Sequence, residues 1–247
     1  MTVTKQETPV RDIAPDHAVV HDDHPLHISL LGTRAVLFEA PGALDLATQQ
    51  RIWSLARDVQ RWDNVDEVVP GMANLMMTFA VPPRDIDHLF AALRDAWESA
   101  AAQTIDGKTI VLPVVYGGEG GPHLADVVAH TGLSVDEIVR RHAAPRYTVY
   151  ALGSHPGYCY LGGMDPTIAT PRRKIPVVRL PGGAVSIGGV QTGVSASAGP
   201  SGWNTIGSTT ATFFDVRRTP AALLAPGDTV IFEISDVIRP NLDGAQS

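Results

Sequence analysis

Residues 153–174, GSHPGYCYLGGMDPTIATPRRK, gather a histidine, two tyrosines, a single cysteine and three consecutive cations between turn-forming glycines and prolines. Such groups can carry protons, donate hydrogen bonds and pair with carboxylate or phosphate, while glycine lets backbone approach a ligand closely. Two other segments share the composition: YGGEGG (116–121) and LPGGAVSIGGVQTGVSASAGPSGWNTIGST (180–209). Gln191, Ser195, Ser197 and Asn204 add polar groups suited to anions or amides. Strands that need glycine this often usually have something pressed against them, although corners of a tightly bent barrel demand it too. Cys159, the one cysteine, is expected to be a small, half-buried apolar filler rather than a nucleophile.

Several familiar chemistries are missing from the sequence. It has no G-x-x-x-x-G-K-[ST], no G-x-S-x-G and no H-E-x-x-H. YGGEGGP resembles a phosphate loop in glycine content only, since no lysine follows. It reads equally as a plain turn or as backbone amides lining a site or partner surface.

The elements that position these segments follow from period and punctuation. HISLLG and AVLFEA are short strands about the turn at Gly32–Arg34. Ile52, Leu55, Ala56, Val59 and Trp62 then fall on one helical face. VDEVVPGMANLMMTFAV is strand-like and bent at Pro70-Gly71, and Ile86, Leu89, Phe90, Leu93 and Trp97 mark a second helix. Two strands, a helix, two strands and a helix predict a small α+β sandwich. Beyond it, TIVLPVVYGG opens a second unit. LADVVAHTGLSVDEIVRRHAA holds two short helices, with Ser134 and Glu137 as a capping box and with His130 and His142 expected to cap or pack. RYTVYAL, PVVRL, AVSIGG, TATFFDV and DTVIFEIS are glycine-bounded strands, and their number predicts a closed or nearly closed barrel. The expected boundaries are a disordered tail at 1–25, an α+β domain at 26–105, a barrel domain at 106–240 and a short tail at 241–247. His17, His21 and His24 lie in the first tail and are assigned no metal.

Composition excludes some functions. The 247 residues are 44% hydrophobic, enough for a sizeable core, and 23 glycines with 19 prolines point to turns and strands. A net charge of −7 offers no basic field for nucleic acid or anionic lipid. No run approaches the roughly 20 apolar residues of a membrane span, and the N-terminus lacks a secretory apolar centre. The expected location is the cytoplasm.

PGYCYLGGMDPTIATPRR, then PGGAVSIGGVQTGV, then GPSGWNTIG, together with PVVYGGEGGPHL, resemble the family of the 5-oxoprolinase B subunit, also called the KipI or allophanate hydrolase subunit 1 family. The likeness runs from about residue 27 to 236. It implies an N-terminal ferredoxin-like α/β sandwich followed by a C-terminal cyclophilin-like β-barrel. It implies further that the glycine-rich loops line a cleft completed by the 5-oxoprolinase C subunit. By matching position, Pro156, Gly157, Tyr158, Tyr160, Arg172, Arg173, Gln191, Thr192, Gly193, Gly202 and Trp203 are the cleft candidates, with catalytic and shaping roles undivided and no metal ligand among them. Tyr158, Tyr160 and Trp203 are expected to be exposed anchors for the partner. Because neighbours on an extended chain point to opposite faces, only one of Arg172 and Arg173 is expected to face the cleft.

The activity implied is ATP-dependent opening of 5-oxoproline to glutamate, carried out with the A and C subunits and with ATP and Mg held by or shared with a partner. Two other activities stay open under the family's names: one component of a urea carboxylase-type carboxyltransferase, and a non-enzymatic inhibitor of a histidine kinase. The chain departs from the family pattern at five places. Ser154 stands for an aromatic, His155 for a small residue, His123 for an aspartate, Ser201 for a glycine and Ser208 for an arginine. A serine supplies neither the charge nor the fork geometry of that arginine.

Overall fold

Asp45 and Asp85 each begin a helix by accepting a backbone N–H three residues on, from Thr48 at 2.7 Å and from His88 at 2.9 Å. In the computed structural model, which describes residues 25–239, these helices back one sheet. The tails expected at 1–25 and 241–247, with His17, His21 and His24, lie outside those residues, residue 25 apart. The order is β1 (His27–Leu30), β2 (Ala35–Glu39), α1 (Leu46–Val59), β3 (Val65–Pro70), β4 (Asn74–Phe79) and α2 (Ile86–Ser99). The strands form an antiparallel sheet in the order β1-β2-β4-β3. Alternation turns Val36, Phe38, Leu75, Met77 and Phe79 inward, onto Ile52, Leu55, Val59, Leu93 and Trp97. Arg51 clamps the two helices. Its guanidinium lies 3.8 Å from the Trp97 ring centroid and donates to the carbonyls of Trp97 (2.7 Å) and Ala100 (3.0 Å) at the end of α2.

A second core lies inside a closed barrel. Its elements are β5 (Thr109–Gly117), α3 (Leu124–Thr131), α4 (Val135–Ala143), β6 (Tyr147–Leu152), β7 (Cys159–Gly162), β8 (Val177–Leu180), β9 (Ala184–Gly188), β10 (Gln191–Val194), β11 (Gly199–Ser201), β12 (Asn204–Ser208) and β13 (Thr229–Ile238). Seven strands close in the order β10-β7-β6-β13-β5-β12-β9. The expected mixed α+β architecture with a closed barrel is therefore present, consistent with a cyclophilin-like fold. Closure leaves none of the seven as a sheet edge.

Three expectations need correction. TATFFDV is not a strand: the barrel wall is complete without it, and it makes only an isolated bridge between Phe214 and Ala222 while Phe213 is driven into the core. PVVRL does form β8, but β8 pairs with β11 in a separate ribbon that leaves Val178 85% exposed. The capping box is one-sided. Ser134 accepts the Glu137 N–H at 3.2 Å, but the Glu137 carboxylate turns to Arg140 and Arg141, whose hydrogen bonds hold its pKa down to about 2.

The two cores meet at Tyr150. The register of β6 against β7 shifts between Val149 and Ala151, so Tyr150 is the extra residue of a β-bulge. Its carbonyl accepts from Trp53 Nε1 at 2.9 Å and from Gln49 Nε2 at 3.2 Å, both on α1. Gln49 is fully buried, and it also donates to Gly71 O and accepts from Ala73 N, each at 2.9 Å. The buried amide is thus satisfied from both ends.

Candidate functional site

Cys159 and Leu161 face the barrel core, so Tyr160 between them faces outward from β7. Ile187 and Thr192 are likewise interior, which puts Gly188 and Gly193 on the outer wall of β9 and β10. A side chain at either glycine would collide with an aromatic. A Cβ at Gly193 would stand 2.9 Å from the Tyr158 hydroxyl, and one at Gly188 would stand 2.4 Å from the Trp203 ring. The aromatics therefore lie on a floor of glycine. Tyr158 packs edge-on to Tyr160 (centroids 4.9 Å) and to Trp203 (6.4 Å), and His155 tilts against Tyr158 at 5.2 Å. Burial pushes the Tyr158 phenol up, so it stays protonated and able to donate.

The two arginines part company. Arg172 is exposed, with its guanidinium carbon 5.7 Å from the Trp203 ring centroid. Arg173 turns to α3, where its Nη1 pairs with Asp126 at 2.5 Å, while its backbone N–H donates to Gly202 O at 2.7 Å. His123 backs that corner. Its Nδ1 accepts the Thr205 N–H, and its own N–H donates to Thr205 O, both at 2.9 Å. Burial first, and the Arg173 charge second, lower the His123 pKa, so the ring is a neutral brace. Asn204 adds a donor to Pro171 O at 2.8 Å.

Several candidates thus converge on one patch: Tyr158, Tyr160, Arg172, Gly193 and Trp203, with Gly202 and Arg173 supporting its rim. Gln191 starts β10 opposite Gly188, and Pro156 is exposed on the loop that leads in. Thr192 is elsewhere, fully buried in the barrel. Its hydroxyl donates to Ser186 O at 3.1 Å and so accepts from His142 Nε2 at 2.8 Å, which leaves His142 Nδ1 to accept from the Tyr116 hydroxyl at 2.8 Å. Burial lowers the His142 pKa to about 3, and this histidine packs as expected. The exposure expected of the aromatics is corrected too. Trp203 is only 8% exposed because it lies down on Gly188, and the two tyrosines are half-buried.

Cys159 is fully buried and its thiol is pushed up to about 12, which makes it core filler. The glycines of YGGEGG make room for the chain itself. A Cβ at Gly117 would fall 2.0 Å from Ile238 O, and one at Gly121 would fall 2.4 Å from Ile206 O. Ser208 lies beside Gly120, at the far end of β12 from Trp203, on the order of 13 Å along the strand. Among the described residues no group of three or more His, Cys, Asp or Glu could hold a metal.

Two buried side-chain nitrogens among the described residues lack any hydrogen-bond partner, His155 Nε2 and Arg173 Nε. Both belong to the residues around this patch. Gly188, Asp126 and His155 were not among the sequence candidates. The alternation SIGG beside QTGV could have given Gly188 away, whereas nothing local marks Asp126 as the partner of Arg173.

The chain that builds this glycine-floored aromatic wall, its barrel and the helix-backed sheet matches, over residues 26–224, the family model of the carboxyltransferase domain, subdomain C and D. The chain is 42% identical to the 5-oxoprolinase B subunit of Escherichia coli O157:H7 over 203 residues, covering 82% of this chain and 93% of that one. It belongs to the family of 5-oxoprolinase B subunits. Among solved structures, TTHA0988 superposes on 84% of the chain with a TM-score of 0.67 at 29% identity, and this chain spans 40% of that longer one. K. lactis urea amidolyase shares the fold, with a TM-score of 0.72 over 96% of this chain and 16% of its own length at 17% identity.

Proposed function

We propose that this chain is the B subunit of an ATP-dependent 5-oxoprolinase, a hydrolase of a cyclic amide that acts only with its A and C partners. The carrying observation is the one-sided patch: an outward wall of Tyr158, Tyr160 and Trp203 with Arg172 free at its rim. An exposed guanidinium beside a half-buried aromatic wall is a surface that a ligand or a partner protein lying over it can use. The C homologue is the direct partner on this reading, and the A homologue a functional one.

On this reading the chain binds and orients. Arg172 offers a guanidinium to the substrate carboxylate or to negative charge developing on the lactam oxygen, and the aromatics exclude water. Arg173 and His123 hold the loop that presents Arg172. In the one glycine loop that resembles a nucleotide cradle, side chains added at Gly117, Gly120 and Gly121 would meet Ile238, Ser208 and Ile206, so close packing of the chain on itself accounts for these glycines. We therefore assign the nucleotide to a partner. No helix among the described residues is long and apolar enough to cross a membrane, and we place the assembly in the cytoplasm. The helix-backed sheet is the ferredoxin-like unit on this reading, and its separate core supports a division near residue 105.

The test is glutamate formation from 5-oxoproline and ATP by the purified chain, alone and with the A and C subunits. We expect none alone and turnover in the mixture. Release of glutamate by the chain alone would refute the half-site.

A further inference from the structure

We propose that Asn204 is a positioning residue for the reaction, its buried amide fixing the segment from which Arg172 reaches the aromatic wall. The proposal rests on the assignment of Arg172 to the substrate site and says what holds that guanidinium in place. Three consecutive residues of one segment meet three of another in antiparallel register. Arg173 N donates to Gly202 O at 2.7 Å, the Arg172 guanidinium carbon stands 5.7 Å from the Trp203 ring centroid, and Asn204 Nδ2 donates to Pro171 O at 2.8 Å. Arg172 therefore lies between two backbone ties, one on each neighbour, and its side chain is the part of this clasp that stays exposed. Thr170 extends the clasp by exchanging both backbone hydrogen bonds with Gly189, at 3.1 and 2.7 Å. The tie at Pro171 is the one that a side chain supplies. Asn204 is 3% exposed, and its amide nitrogen also lies 3.4 Å from Ile187 O on β9. Both partners are carbonyls, which only accept, so the group facing them is the NH2 and not the amide oxygen. The β12 backbone pairs with Ile187 whatever the side chain at 204, so what asparagine adds is the bond to Pro171. A guanidinium whose backbone is already fixed meets a carboxylate or a developing oxyanion without first being ordered, and the tie on the preceding carbonyl acts on rate in that way.

The experiment is a double-mutant cycle on the full chain assembled with the A and C subunits, reading kcat/KM for 5-oxoproline at saturating ATP. Asn204→Ala is expected to lower kcat/KM about tenfold, and to change it by less than about twofold in an Arg172→Ala background, where the group it positions is gone. Asn204→Asp keeps the shape and replaces the amide donor by an acceptor. It is expected to match the Ala variant, and it carries the cycle if that variant does not assemble. Gel filtration and thermal melts of each assembly accompany the kinetics. An equal loss in both backgrounds would show that Asn204 acts on the fold and not through Arg172, and would overturn the proposal. Unchanged kcat/KM in both Asn204 variants, while Arg172→Ala is impaired, would also overturn it and leave the site standing. Silence of Arg172→Ala would overturn the site itself, and the proposal with it. Failure of both Asn204 variants to assemble would make the amide a requirement of the fold and would overturn the proposal as well.

Discussion

Acid should weaken this protein through one buried ring. His142 is fully buried with its two nitrogens committed to Tyr116 and Thr192, and its pKa falls from 6.5 to about 3. The unfolded chain therefore binds a proton that the native state refuses at every pH between those values. Stability from this group is complete above about pH 6.5 and is lost as pH falls towards 3. Each unit of pKa difference corresponds to about 1.4 kcal/mol, so the group alone should remove about 2–3 kcal/mol between pH 7 and pH 4.5. Urea unfolding at half-unit intervals over that range, compared with His142→Gln, isolates the effect, because glutamine does not titrate. The Gln variant should start less stable at pH 7, where one bond of the network is lost, and the two curves should converge as the solution is acidified. Parallel curves would refute the claim that His142 is held neutral by burial.

Other outcomes follow from the patch. Trp203→Ala should cost about 3–5 kcal/mol in the isolated chain, since the indole is a packed lid on Gly188, and an unchanged melt would restore the exposed-anchor expectation. Gly188→Ala should destabilise by about 1–3 kcal/mol in the same melt, because its methyl would overlap that ring. Arg172→Lys should lower turnover of the assembly roughly tenfold, equivalent to about 1.4 kcal/mol, while the same change at Arg173 acts mainly on the melt, by about 1 kcal/mol or less for a partly exposed pair. Equal, small effects on turnover would mean that neither arginine meets the reacting group.

Much of this architecture is legible in the chain because local signals agree. The 3–4 spacing of Ile52 to Val59 and of Ile86 to Trp97, and the bend at Pro70-Gly71, place both helices and the β3–β4 hairpin where they are found. The short glycine-bounded strands likewise announce a closed barrel. What escapes is decided by partners distant in sequence. TATFFDV alternates like a strand yet finds the wall complete, and Thr192 looks polar and site-like until His142, fifty residues earlier, claims its hydroxyl. Trp203 is hidden by a glycine fifteen positions back, a contact that composition cannot express. Arg172 and Arg173 are alike in sequence, and Asp126 alone distinguishes them.

The bulge at Tyr150 fixes a reference point for the chemistry from outside the barrel. Its carbonyl, released from the strand ladder, hangs from two donors on α1, and the chain reaches Ser154 and His155 only four and five residues later. Because Gln49 and Trp53 both stand on α1, the position of that helix sets where β6 is held just before the 153–158 loop. The helix-backed sheet is thus the gauge to which that loop is set. A barrel made without it would leave the Tyr150 carbonyl without either of those donors.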